Sequence, residues 1–236
     1  SAQFITYGMN KKANLPPVQA EFTTNGIKAQ LQFREHIISI DSLLLGEYNL
    51  SNIMAGVAAA LSMGVSISQI ENAVKNMSPI PGRMELISCD CPGKVFVDYA
   101  HSPDAYEKLF SSLSSLTAGE IKLLTVFGCG GNRDSGKRSE MAKISEKYSA
   151  FSFITMDNPR NEDVENINAD IIRGFSGDDF TVIPDRKEAI TTALKKMDEN
   201  SILLILGKGQ ENYQEIGSVK IPYSDIEIIR AYSNES

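Results

Sequence analysis

Positive charge is in short supply in this sequence. Thirty acidic residues stand against twenty-three basic ones over 236 residues, a formal net charge of -7. There is therefore no broad positive field of the kind that nucleic acid or an anionic membrane surface requires, and any phosphate binding must be local. Cysteine and histidine are scarcer still. Cys89, Cys91 and Cys129 are odd in number, and only His36 and His101 could join them, which suggests neither a disulfide framework nor a four-ligand zinc centre. Three free or buried thiols in a reducing cytosol are expected. Long apolar runs are missing too. The longest, such as Ile202 to Leu206, fall far short of the roughly 20 residues that cross a bilayer. The N-terminus has neither the basic region nor the apolar stretch of a secretory signal. A soluble cytoplasmic protein is expected, with no nucleic-acid or membrane partner. It begins at Ser1 rather than Met, as a processed or excised piece would.

The 42% of hydrophobic residues is enough for one large or two modest domains. Near the start, Ile27, Ala29, Leu31 and Phe33 alternate with Lys28, Gln30 and Gln32 beside the pair Asn25-Gly26, which predicts a β-hairpin turning at that pair. A further strand is expected over Ile37 to Ile40. After Gly46 the pattern turns helical through Ala55, Ala58, Ala59 and Leu61. Ser66 and Gln69 then form a capping box for a helix with Ile70, Ala73, Val74 and Met77 on one side. Pro79-Ile80-Pro81-Gly82 breaks this helix and marks a boundary.

Beyond the break, short apolar runs at Lys94 to Asp98, Ile121 to Phe127, Phe151 to Met156 and Ser201 to Leu206 alternate with helical patterns near Pro103 to Leu116, Ser139 to Tyr148, Val164 to Gly174 and Arg186 to Met197. This alternation predicts an α/β, Rossmann-like domain around a mostly parallel sheet. In such a sheet, ligands bind beyond the carboxyl ends of the strands. The four runs are followed by Asp98-Tyr99-Ala100-His101, Gly128-Cys129-Gly130-Gly131-Asn132-Arg133-Asp134, Asp157-Asn158-Pro159-Arg160 and Gly207-Lys208-Gly209-Gln210-Glu211. All four should open on one edge, with Arg133, Arg160 and Glu211 in reach of one ligand. Guanidiniums hold carboxylates through bidentate hydrogen bonds and a carboxylate holds an ammonium, so the implied ligand is zwitterionic.

Gly131-x-x-x-x-Gly136-Lys137 imitates a phosphate-binding P-loop. Arg138 follows, where a P-loop needs Ser or Thr for magnesium, which argues against that reading. The alternative for the glycines is that they only allow a tight turn, and for Arg133 and Arg160 it is surface ion pairing with neighbours such as Asp134 and Glu162. Pro159 fixes its own φ and biases Asn158 toward extended backbone, which puts Arg160 in a shaped loop and favours binding. His101 read alone is more often a cap or core histidine than a catalyst.

Taken together, GEYNLSNIMAG from Gly46, PGRME from Pro81, VDYAHSPDA from Val97, VFGCGGNRDSGKR from Val126, DNPRNED from Asp157 and GKGQENYQ from Gly207 resemble the Mur ligase family, and within it the branch that adds meso-diaminopimelate. The motifs keep the family's order and cover nearly everything from Gly46 onward. The resemblance implies that residues 1–82 are the α+β end of the central ATP-binding domain and residues 83–236 the Rossmann-like amino-acid-binding domain. It implies meso-diaminopimelate binding by Arg133, Asp157, Asn158, Pro159, Arg160, Gly207 and Glu211. It also puts Asn49, Asn52, Arg83, Asp98 and His101 around ATP.

The implied activity is ATP- and Mg2+-dependent addition of meso-diaminopimelate to UDP-N-acetylmuramoyl-L-alanyl-D-glutamate in peptidoglycan synthesis, through an acyl phosphate. A lysine-adding or folylpolyglutamate-type ligase, or an amino-acid-binding module without catalysis, are the alternatives. The sequence lacks a true P-loop, a carbamylation-type lysine motif and a uridine-nucleotide domain, as a C-terminal piece of such a ligase would. No catalytic residue or metal ligand is assigned within it. Asn132 stands where the family usually has Asp, and Gln210 where it usually has His.

Overall fold

The computed structural model describes residues 4–117 and 121–235. The chain divides into two compact units between Pro79 and Ile80. In the first, β1 (Pro17–Thr23), β2 (Gly26–Phe33) and β3 (His36–Ser42) form an antiparallel sheet in that order, followed by α1 (Glu47–Ser62) and α2 (Ile67–Lys75). The alternation seen in the sequence is the alternation of burial. Ala29 faces Ile40 and Leu31 faces Ile38 across β2 and β3, and all four are buried against Leu50, Ile53, Met54 and Val57 of α1.

Two local expectations for this unit need correction, the turn position and the face of α2. Thr23 pairs with Gly26, so the turn is Thr24-Asn25 rather than Asn25-Gly26. Gly26 opens β2 at φ 146°, where a Cβ would stand 2.2 Å from the Ser42 carbonyl oxygen. Glycine is needed there for close backbone approach rather than for the turn itself. The helix expected after Gly46 is α1, whose buried stripe is Leu50, Ile53, Met54, Val57 and Ala58, because the larger apolar side chains gain more from burial than alanines do. On α2 the Ser66–Gln69 capping box is present, with the Ser66 N–H donating to Gln69 Oε1 at 3.2 Å. Ile70 is buried and Val74 packs against the same core, whereas Ala73 and Met77 face solvent.

The second unit runs β4 (Glu85–Ile87), β5 (Lys94–Asp98), α3 (Pro103–Thr117), β6 (Lys122–Phe127), α4 (Gly136–Tyr148), β7 (Phe151–Ile154), α5 (Val164–Ile172), β8 (Phe180–Val182), α6 (Arg186–Lys195), β9 (Ser201–Leu206), β10 (Tyr213–Ile216), β11 (Val219–Pro222) and α7 (Asp225–Glu235). Six strands form one sheet in the order β4-β5-β9-β6-β7-β8. Every neighbour pair is parallel except β4 with β5.

All six residues of the central strand β9 are buried, which is why it reads as an uninterrupted apolar run. Val95, Val97, Leu124, Val126, Leu203 and Ile205 meet α6 and α7 on one face. On the other, Tyr106 of α3 packs edge-on against Phe127, and the Ser145 hydroxyl of α4 reaches that of Ser152. Chain return from β8 through α6 inserts β9 between β5 and β6, so the loops after β5, β6, β7 and β9 open on one edge.

Cys89 and Cys91 are joined by a disulfide across one intervening residue, with Cα atoms 5.4 Å apart, which corrects the expectation of three thiols. The tight loop between β4 and β5 brings the two side chains together. Cys129 is free and buried.

Arg186 and Asp225 are both fully buried and bonded twice, Nε to Oδ1 at 2.9 Å and Nη2 to Oδ2 at 2.8 Å. Removing one partner strands the other charge, a loss of about 3–5 kcal/mol, whereas replacing both with apolar side chains is close to neutral. Arg186→Met is therefore expected to lower the urea-unfolding stability by that amount, and Arg186→Met with Asp225→Leu to restore most of it. A single variant within about 1 kcal/mol of the parent would show that the pair is not what docks α7.

Candidate functional site

The carboxyl edge of the parallel sheet holds a cavity of about 340 Å³. Arg133, Asp157, Asn158, Arg160, Gly207 and Glu211 all line it, together with Tyr99, His101, Gly130, Asp134 and Lys137. Pro159 does not line it; its carbonyl accepts from the Glu162 N–H at 3.0 Å.

Two close approaches build the wall. Gly131 N–H donates to the Asn158 carbonyl at 2.9 Å, and a Cβ on Gly131 would stand 1.9 Å from the Pro159 carbonyl oxygen. The glycines thus let the loop after β6 touch the loop after β7. Behind them Arg138, buried to 1% exposure, donates from Nη1 and Nη2 to the two Glu162 oxygens at 2.6 and 2.7 Å and from Nη1 to Asp170 at 2.9 Å. The residue that spoils the P-loop pattern is the one that ties α4 to α5 below the glycine-rich loop. Asn132, at φ 52°, accepts from the Asn161 N–H through Oδ1 at 3.1 Å, an acceptor role that Asp would fill as well.

The two arginines differ. Arg133 is exposed and has no hydrogen-bond or ion-pair partner among the described residues. Arg160 sits at φ 53° and is held on several sides: its N–H donates to the Glu215 carbonyl at 3.0 Å, Nε to Glu215 Oε2 at 2.9 Å, and Nη1 to the Gly131 carbonyl at 2.9 Å. Its ion-pair partner is Glu215 on β10, neither Asp134 nor Glu162. With Nε and Nη1 engaged, Nη2 is the corner left for a ligand, which narrows the expected bidentate grip.

Beneath Glu211 lies Lys208, which sequence reading left without a role. It is 0% exposed, and its Nζ donates to Asn158 Oδ1 at 3.0 Å and Glu211 Oε2 at 3.2 Å, with Asp157 Oδ1 at 4.0 Å. Asn158 donates to the same Glu211 oxygen at 3.0 Å and accepts from the Glu215 N–H at 2.9 Å. Burial pushes the Asp157 carboxyl upward, while the Arg186 and Lys208 cations pull it back. Burial also pushes the Cys129 thiol up to about 12, which makes it a packing group at neutral pH. Lys208 and Glu215 were legible only as charged residues in or beside a motif; Glu215 is placed by the β10–β11 hairpin, which had not been foreseen, and Lys208 is held by Asn158 and Glu211 on the loops after β7 and β9.

The residues assigned to ATP are divided between the two units. Arg83 lies 4.8 Å from the centre of the Tyr99 ring, exposed on its other side. His101 is exposed, with Nδ1 2.8 Å from the Tyr99 carbonyl and its own carbonyl accepting from Lys137 Nζ at 2.7 Å. Asp98 is buried, and each of its oxygens accepts a backbone N–H at 2.7 Å, from Met84 and Ala100. Burial raises its pKa and those two bonds oppose the rise. This carboxylate braces the loop. Asn49 and Asn52 belong to the first unit, where Asn49 Nδ2 donates to the Leu45 carbonyl at 2.8 Å and Asn52 Nδ2 to Asn49 Oδ1 at 3.2 Å. No group of three or more His, Cys, Asp or Glu residues is placed to hold a metal ion among the described residues, and none of the helices described there is long and apolar enough to cross a membrane.

The family description "Mur ligase, glutamate ligase domain" matches residues 82–209, and "Mur ligase middle domain" matches residues 1–60. The chain is 36% identical over 233 residues to UDP-N-acetylmuramoyl-L-alanyl-D-glutamate--2,6-diaminopimelate ligase 1 of Clostridium acetobutylicum, covering 98% of this chain and 48% of that protein. It is 38% identical over 237 residues to the ligase of the same name, without the numeral, from Geobacillus thermodenitrificans, covering 100% and 48%. A solved structure of a protein with that ligase name superposes with a TM-score of 0.72 at 33% identity, over 98% of this chain and 47% of that one. The chain thus spans about half the length of these relatives. Folylpolyglutamate synthase of Mycobacterium tuberculosis shares the fold, with a TM-score of 0.66 at 21% identity over 83% of this chain and 46% of that one.

Arg138 holds the Glu162 carboxyl down at about 2, against an ordinary 4.5. A depressed carboxyl stabilises the fold fully above its unfolded value and loses that contribution as pH falls through the folded value. Glu162→Gln should therefore be less stable than the parent near neutral pH, with the gap closing as pH drops from about 4.5 toward about 2. Urea unfolding across that range checks this; a gap independent of pH would mean that packing, and not the ion pair, accounts for the loss.

Proposed function

The chain belongs to the Mur ligase family, and from that premise we propose that it forms part of a cytoplasmic, ATP-dependent ligase that adds meso-diaminopimelate to UDP-N-acetylmuramoyl-L-alanyl-D-glutamate in peptidoglycan synthesis. The observation that carries this reading is the cavity at the sheet edge, where free Arg133, the Nη2 corner of Arg160 and Glu211 offer both signs of charge to one small ligand. A diamino acid with a carboxylate and an ammonium at each end is such a ligand. Residues 1–82 are assigned to the end of the ATP-binding domain and residues 83–236 to the amino-acid-binding domain.

A carboxylate resists attack by an amine until one of its oxygens becomes a leaving group, and ATP with Mg2+ supplies the phosphoryl group that makes it one. This chain's part is to hold the incoming amine, which is worth several kcal/mol of barrier when reacting atoms are aligned. Arg133 and Arg160 take carboxylate, Glu211 takes ammonium, and Asp157, Asn158 and Gly207 shape the wall. For the nucleotide, Arg83 and His101 have exposed surfaces suited to phosphate or ribose, and Asn49 and Asn52 are assigned to it from the first unit. Asp98, with both oxygens already bonded, fits a bracing role better than a ligand contact. This sequence carries no P-loop, so the 236-residue chain by itself is expected to release no phosphate when given ATP, Mg2+, both substrates and buffer. Turnover at an ordinary enzymatic rate would overturn the division of labour proposed here.

L-Lysine lacks the distal carboxylate, so the arginines, and not Glu211, should separate the two amino acids. A hydrogen bond to a charged group contributes about 1.5–3 kcal/mol, or roughly tenfold to a hundredfold in affinity. In the full-length ligase, Arg160→Ala or Arg133→Ala is expected to raise the KM for diaminopimelate by that order and to narrow its advantage over lysine. Glu211→Ala should weaken both amino acids alike. An unchanged diaminopimelate-to-lysine preference in both arginine variants would remove this loop pair from specificity.

A further inference from the structure

Lys208 is a fully buried cation at the base of the cavity that no role has yet absorbed. Taking an ammonium out of water is costly unless anions and acceptors surround it. Here the surroundings are Asn158 Oδ1 at 3.0 Å, Glu211 Oε2 at 3.2 Å and Asp157 Oδ1 at 4.0 Å, three side chains that line the cavity. The Tyr213 and Tyr223 rings lie further off, at 5.7 and 5.8 Å.

The bonds are lopsided in a way that matters. Glu211 Oε2 receives both the Lys208 ammonium and the Asn158 amide, while Oε1 takes no hydrogen bond among the described residues. Asn158 is held independently, because the Glu215 N–H also donates to its Oδ1. Among the described residues Lys208 is the one cation bonded to Glu211; without it the carboxylate would keep one neutral amide bond and be free to turn. A carboxylate locked through one oxygen presents the other in a single direction, and the ordering entropy is met before the ligand arrives.

We propose that Lys208 is a positioning residue of the amino-acid site, whose buried ammonium locks Glu211 through Oε2 so that Oε1 alone faces the ammonium group of the incoming amino acid. This rests on the reading of the cavity as the amino-acid site. It explains why a cation is tolerated where an ammonium must bind. Lys208 spends its charge on the far oxygen of Glu211 and on Asp157, and the near oxygen stays available.

The test is a double-mutant cycle in the full-length ligase, reading KM and kcat for meso-diaminopimelate in Lys208→Met, Glu211→Gln and the double variant, each checked by thermal melting. Residues that act as a unit show strongly non-additive effects. Glu211→Gln and Lys208→Met should each raise KM by about tenfold or more with a smaller change in kcat. The double variant should then lie within about twofold of Glu211→Gln alone, since Lys208 has nothing left to orient. If Lys208→Met fails to fold because the Glu211 carboxylate is left uncompensated, the double variant should fold again, since Arg186 still faces Asp157.

Three results would overturn the proposal: a Lys208→Met KM within about twofold of the parent, effects that multiply independently in the double variant, or a double variant that also fails to fold. If Glu211→Gln itself leaves KM unchanged, the amino-acid-site reading falls instead. A rise in KM for Glu211→Gln without one for Lys208→Met sinks only the role given to Lys208.

Discussion

A pair of opposite charges sealed inside the second unit governs how the rest of it is put together. Arg186, at the start of α6, reaches Asp225 at the start of α7 with two hydrogen bonds and the Leu206 carbonyl at the end of β9 with a third. Two charges withdrawn from water are tolerated only if each finds the other, so α7 cannot leave the sheet without exposing or orphaning one of them. Once α7 is seated, Ile229 completes the apolar layer over Val95, Leu203 and Ile205. The same contact fixes the end of β9, and with it the turn that carries Gly207, Lys208 and Glu211. Arg186 also supplies part of the positive charge that tempers buried Asp157.

From that fixed edge outward the site is a set of loops cross-braced by charge. Arg138 ties the start of α4 to the loop after β7 through Glu162 and to α5 through Asp170, Glu215 ties the loop after β7 to β10, and Lys208 ties the loop after β9 to Asn158 and Glu211. Loops of this length would ordinarily sample many conformations, and a cavity formed by them would lose affinity to that freedom. Here each is anchored by at least one partly or fully buried ionic contact, so the ligand-facing groups are presented by a frame already organised.

The sequence carried the frame well and the bracing poorly. The parallel strands β5, β6, β7 and β9 were legible because burial on both faces demands continuous apolar runs such as Val95 to Val97 and Ile202 to Leu206. The loops after them were legible because parallel topology forces them to one edge. What escaped was short, polar or paired at a distance. β4 and β8 have three residues each, too few to show a period. β11 is exposed along its whole length, so no alternation marks it. Arg138, Arg186 and Lys208 are nearly or completely buried cations, which composition alone assigns to the surface. Their partners Glu162, Asp225 and Glu211 lie 24, 39 and 3 positions away, and only the last could have been paired from sequence spacing.

In sequence only the shaped loop around Pro159 set Arg160 apart from Arg133, and the fold separates them further. Arg160 has given Nε and Nη1 to Glu215 and Gly131, so it is rigid and partly neutralised. Arg133 has given nothing and stands exposed at the rim. A rigid guanidinium with one open corner sets direction, because a carboxylate can approach it along few lines. An unpaired one supplies charge, because its field is not cancelled by a neighbour but is weakened by solvent. Selection of a distal carboxylate therefore divides between the pair: Arg160 contributes geometry at little entropic cost, and Arg133 contributes attraction at the cost of ordering a long side chain. This division is what the hairpin β10–β11 adds to the fold, since Glu215 on β10 is the residue that makes the two arginines unequal.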